Sequence, residues 1–144
     1  MTDYFEDLTV GDEQTFGAYE VTAEGIQSFA EQYDPQPFHT DPEAAAASPF
    51  GGLVASGWHT AAMTMRLLVE EFLADAATRG ALGVDELRWR EPVRPGDELT
   101  VRTEIVDKES WDDDAGLIRV EVTTLVDGDP VLTMTPLVLF ARRE

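Results

Sequence analysis

A chain of 144 residues with 43% hydrophobic content suits one domain with its own core. It has no cysteine, which excludes disulfides, thiolate nucleophiles and thiolate metal sites, and two histidines speak against a His-rich metal cage. Twenty-nine acidic residues against ten basic ones leave a formal net charge of -19, which repels nucleic acid.

No apolar run approaches the ~20 residues of a membrane span. The start, Met1-Thr2-Asp3-Tyr4-Phe5-Glu6, lacks the basic-then-apolar pattern of a signal peptide. The expectation is a cytoplasmic protein with no membrane and no nucleic-acid partner. The acids are spread along the chain, and Lys108 is the only lysine. Acid excess, near-absent lysine and missing cysteine together resemble proteins of salt-loving organisms, in which salt screens the self-repulsion.

In chain order, Val10-Gly11-Asp12 signals a turn and Phe16 to Val21 a short strand. Thr22 reads as the N-cap of a helix from Ala23 to Tyr33, with Ile26, Phe29, Ala30 and Tyr33 on one face. Pro35 stops it. Asp41-Pro42 opens a second, short helix through Ala47, broken at Ser48-Pro49. The longest helical pattern runs from about Gly57 to Thr78, with Ala62, Met65, Val69, Phe72 and Ala76 as its apolar face and Gly80 as its stop.

The rest alternates as strands do. Leu87, Trp89, Glu91 and Val93 precede a turn at Arg94-Pro95-Gly96-Asp97. Leu99 to Ile105, Ile118 to Val126 and Val131 to Arg142 follow, with a hairpin turn at Asp127-Gly128. Pro136 marks an edge or a bulge. One long helix followed by an antiparallel meander predicts an α+β fold, a single domain over 1–144, with the sheet curled round the helix. Its open edges invite a second copy.

The segment Tyr33-Asp34-Pro35-Gln36-Pro37-Phe38-His39-Thr40-Asp41 carries the chemistry. Two prolines stiffen the spacer between a carboxylate and one of the two histidines. A stiff spacer suits an acid/base pair held in a set geometry.

That segment resembles the signature of the MaoC-like (R)-specific enoyl-CoA hydratases. Gly51-Gly52-Leu53-Val54-Ala55-Ser56-Gly57 resembles that family's lead into its central helix. Trp89-Arg90-Glu91-Pro92-Val93-Arg94-Pro95-Gly96-Asp97 resembles its strand and Pro-Val-x-x-Gly-Asp turn, and Val10-Gly11-Asp12 fits as well. The resemblance implies the hot-dog fold, a homodimer or higher homo-oligomer, and an acyl-CoA thioester substrate bound near the dimer interface. CoA enters as part of the substrate, with no separate cofactor and no metal.

It also implies that Asp34 and His39 are the catalytic pair, adding water to a 2-enoyl thioester or removing it from a 3-hydroxyacyl one. Gly57, at the helix start, leaves backbone N–H groups open to a developing enolate. Gln36, Trp58 and His59 complete the substrate-side candidates. Gln36 either orients the pair or its water, or bonds loop backbone. Trp58 shapes the acyl pocket or packs on the sheet, and His59 contacts substrate or is structural. Arg88, Arg90 and Arg94 either bind CoA phosphates or pair with surface acids.

The chain departs from the family pattern at Gln36, Tyr33, Ser56-Gly57-Trp58-His59 and Met65. The rival activities are an acyl-CoA thioesterase and a non-catalytic acyl-binding protein. A thioesterase usually needs an acid at the start of the central helix, where Gly57-Trp58-His59-Thr60 offers none. A binding protein has no need of both Asp34 and His39.

Overall fold

One antiparallel sheet organises the chain. In a computed structural model, which describes residues 2–143, the strands are β1 (Glu13–Glu20), β2 (Thr78–Trp89), β3 (Glu98–Ser110), β4 (Ala115–Val126) and β5 (Asp129–Ala141). They lie in the order β1-β3-β4-β5-β2, with every neighbouring pair antiparallel. The alternation in β3 has its expected effect: Leu99, Val101, Thr103 and Ile105 are buried, while Thr100 and Glu104 between them are half-buried and Arg102 is exposed. Asp127 and Gly128 close the β4–β5 hairpin with φ of 50° and 84°. Positive φ at both positions is what a two-residue type I′ turn requires.

The helices are α1 (Ala23–Tyr33), α2 (Pro37–Thr40), α3 (Pro42–Ala46) and α4 (Gly57–Leu67). The Thr22 side chain accepts from the Gly25 N–H, and the Asp41 side chain accepts from those of Glu43 and Ala44. Both caps satisfy donors that a helix start leaves without partners. Ser56 caps α4 in the same way, accepting from the Trp58 N–H. The sheet curls round α4, which buries Met63, Thr64 and Leu67 against Leu99, Val101 and Val122. This α+β arrangement is the hot-dog fold.

The long helix is shorter than its apolar pattern predicts. After Leu67 one π-helical turn spans Leu68–Phe72, and the Leu73 N–H bonds back to the Leu68 carbonyl. The chain then leaves the helix because other partners claim its backbone. Ala77 donates to Asp3, Ala141 donates to Ala77, and Thr78 pairs with Phe140. Gly80 therefore lies inside β2 and stops no helix.

The buried face of α4 is also rotated from the predicted one. Its buried side carries His59, Thr60, Met63, Thr64 and Leu67, while Met65 and Val69 are about half exposed at 46% and 49%. The helix thus has two apolar stripes, and the sheet covers one. Pro136 sits on β5, an interior strand, opposite Val84 of β2, whose register shifts nearby between Ala81 and Gly83. The bulge reading of that proline holds and the edge reading does not. No described helix is long and apolar enough to cross a membrane.

Candidate active site

Asp34 is the residue on which α1 ends. Its backbone N–H still bonds the Ala30 carbonyl, but its own φ and ψ of -154° and 68° have left the helix, as a residue before proline must. Gln36 and Pro37 then start α2, the single turn that carries His39. The stiff spacer folds back on itself, so that His39 Nε2 stands 3.4 Å from Asp34 Oδ2.

Each member of the pair is held from its other side. His39 Nδ1 lies 2.7 Å from the Val54 carbonyl. A carbonyl only accepts, so Nδ1 carries the hydrogen and Nε2 is the nitrogen free to take or give a proton. The Asp34 Oδ1 accepts from Gln36 Nε2 at 2.7 Å. Burial on its own raises the Asp34 pKa. Hydrogen bonds from Gln36 and Ser56 and the charge of His39 outweigh that effect and hold the carboxyl below its ordinary value. His39 is 6% exposed, and Phe38 meets its ring edge-on at 4.6 Å.

His39 and Gly57 line one cavity of about 260 Å³. Phe38, Phe50 and Val54 supply apolar wall, and Trp89 and Arg90 line it from β2 and the residue beyond. Gly57 is the first residue of α4. The Trp58 N–H turns to the Ser56 hydroxyl, and those of His59 and Thr60 turn to the Ser56 carbonyl. Among the described residues this leaves the Gly57 N–H without a backbone acceptor, at the positive end of the helix.

The expected site residues separate here. Gln36 is hydrogen-bonded to Asp34, His39 stands within ion-pair distance of the same carboxylate, and Gly57 faces the cavity that His39 lines. Trp58 does not line that cavity. It is 57% exposed and meets Trp89 edge-on at 5.1 Å. His59 does not line it either. Its ring stacks on Phe29 at 4.7 Å, and its buried Nδ1 has no partner among the described residues.

The three arginines differ as well. Arg88 pairs with Glu86 at the surface. Arg90 lines the cavity, its Nε donating to the Thr133 hydroxyl, and Arg94 donates to the Phe50 carbonyl. Sequence reading missed three participants: the Val54 carbonyl, the Ser56 hydroxyl and the Trp89 indole. Serine before a helix-opening glycine is a readable cap signal. The other two arise from packing alone.

Residues 7–127 match the MaoC-like domain. The chain belongs to this family. A MaoC-like dehydratase of Rhodospirillum rubrum is 44% identical and superposes with a TM-score of 0.90 over 98% of each chain. YdeM of Bacillus subtilis, an uncharacterized protein, is 32% identical over 83% of this chain and 84% of its own. The 3-hydroxyacyl-thioester dehydratase Z of Mycobacterium tuberculosis is 31% identical over 74% of this chain and 71% of its own.

Proposed function

We propose that the protein is a hydro-lyase that adds water to 2-enoyl-CoA thioesters and removes it from 3-hydroxyacyl-CoA thioesters. The observation that carries this reading is the Asp34–His39 pair at 3.4 Å beside a cavity that also presents Gly57. The family and the name of the mycobacterial relative support the reaction class.

Hydration needs a base to take a proton from water as its oxygen attacks Cβ. It also needs an acid to give a proton to Cα, and negative charge collects on the thioester oxygen between the two events. Asp34, held ionised by its neighbours, takes the proton from water. His39, protonated at Nε2, gives that proton to Cα, and the proton Asp34 has taken from water then passes to Nε2, 3.4 Å away, and restores the pair. The Gly57 N–H meets the enolate oxygen. Dehydration runs the same steps in reverse, and no cofactor enters beyond the CoA of the substrate.

The working unit in this reading is a homodimer in the cytoplasm. The exposed Leu82 on the edge strand β2 gives a second copy an apolar contact beside an unpaired strand.

Crotonyl-CoA hydration tests the assignment. Asp34→Asn and His39→Ala should each lower kcat by about 10²–10⁴. Undiminished turnover in both variants overturns it. Release of free CoA in place of hydration would point to a thioesterase.

A further inference from the structure

Two cavities lie in series between α4 and β2. The catalytic one takes Gly57 and Thr60 from the start of α4 and Trp89 from the end of β2. The second, of about 390 Å³, takes Met65 and Leu68 from farther along the helix and Val84 and Ala81 from earlier in the strand. Thr78 alone brings a polar side chain to that second wall. It suits an aliphatic segment and rejects a charged one.

Trp89 and Thr60 are the lining residues of the catalytic cavity nearest in the chain to this apolar one. The Trp89 indole lies against Gly57, where an added Cβ would stand 2.7 Å from the indole nitrogen and closer still to the ring carbons. The ring thus fills the space where a side chain at Gly57 would stand. It is not locked into the core, being 45% exposed on an edge strand. The strand register shifts just before it, between Asp85 and Arg88.

We propose that Trp89 sets acyl-chain length: its indole, seated on Gly57, closes the catalytic cavity toward the apolar cavity. The resting arrangement accepts short acyl groups. A longer chain reaches the apolar cavity only when the ring leaves Gly57. This proposal rests on the thioester-hydratase reading of Asp34 and His39.

The test is kcat/KM for crotonyl-, hex-2-enoyl- and oct-2-enoyl-CoA, with calorimetric binding of butanoyl-CoA and octanoyl-CoA to the same proteins. Wild type should prefer the crotonyl over the octenoyl substrate by about tenfold or more, and Trp89→Leu and Trp89→Ala should cut that preference about tenfold. Trp89→Phe, which keeps a smaller ring on Gly57, should fall between. A ratio unmoved within about twofold in variants that melt cooperatively overturns the proposal, as does a wild-type preference for the octenoyl chain. If no enoyl thioester turns over but the binding ratio shifts in the Trp89 variants, the hydratase reading fails and the role of Trp89 stands. Turnover without a shift in either ratio sinks the role of Trp89 alone.

Discussion

The indole of Trp89 occupies the space that any side chain at Gly57 needs. Glycine at the start of α4 is therefore demanded by a residue on the far end of β2, independently of any ligand. Gly57→Ala should cost about 1–3 kcal/mol, the usual penalty for overpacking. In a Trp89→Ala background the ring is gone, and the same alanine should cost little or nothing. A double-mutant cycle by urea denaturation reads the coupling. Costs that simply add would show that the two positions do not compete for space.

Gln36 is the neighbour whose loss should be visible in a pH profile. Its Nε2 donates to the Asp34 carboxylate, and the carboxyl is held below its ordinary value of 3.8 despite burial. Gln36→Leu removes that donor, so the Asp34 pKa rises. The acid limb of kcat/KM for crotonyl-CoA should then move to higher pH. Stability follows the same sign. With a folded pKa below 3.8, the stabilisation from Asp34 is full above that value and is lost as pH falls through the folded one. The variant should lose less stability across that window. An acid limb that stays in place would separate Gln36 from the base.

His59 gives a second acid-sensitive term, at higher pH. Burial lowers its pKa below 6.5, and its Nδ1 has no partner among the described residues. Below 6.5 the unfolded chain takes up the proton first, so this term removes stability as pH falls from there toward the folded value. His59→Phe keeps an aromatic ring on Phe29 and deletes the titration. Relative to wild type, the variant should gain stability between about pH 8 and about pH 5.5, measured by thermal melts. A constant difference across that range would mean that His59 titrates alike in the folded and unfolded chain, and that its burial has no effect.

Much of this was legible in the sequence because local signals and tertiary demands agreed. The Asp127-Gly128 turn, the alternation in β3, the caps at Thr22 and Asp41, and the stiff link from Asp34 to His39 each name one conformation. α4 was different. Its two apolar stripes are equivalent by spacing, and only the sheet decides that Met63 and Leu67 go inside while Met65 and Val69 stay out. Its end was hidden for the same reason. Nothing local stops the helix at Phe72, and strand pairing near Thr78 and the bonds from Asp3 draw the chain away. Trp89 on Gly57 joins two segments whose contact no periodicity encodes.

The sheet register exposes a cost of the acidic composition. β1 sets Glu13 opposite Glu104, and β3 sets Glu104 opposite Glu121, so three glutamates stand in one row across three strands. Residues directly opposite share a face, and like charges there destabilise by roughly 0.2–1 kcal/mol per pair. Glu104, the middle member, touches both repulsions. Glu104→Gln should raise the urea midpoint at about 0.1 M salt by the equivalent of about 1 kcal/mol. At about 1 M the Debye length is near 3 Å, so most of that advantage should vanish as wild type itself gains stability. That behaviour is what the proposal of a salt-adapted protein requires of a chain with net charge -19. An equal gain at both salt concentrations would trace the effect to strand propensity and leave the charge row without weight.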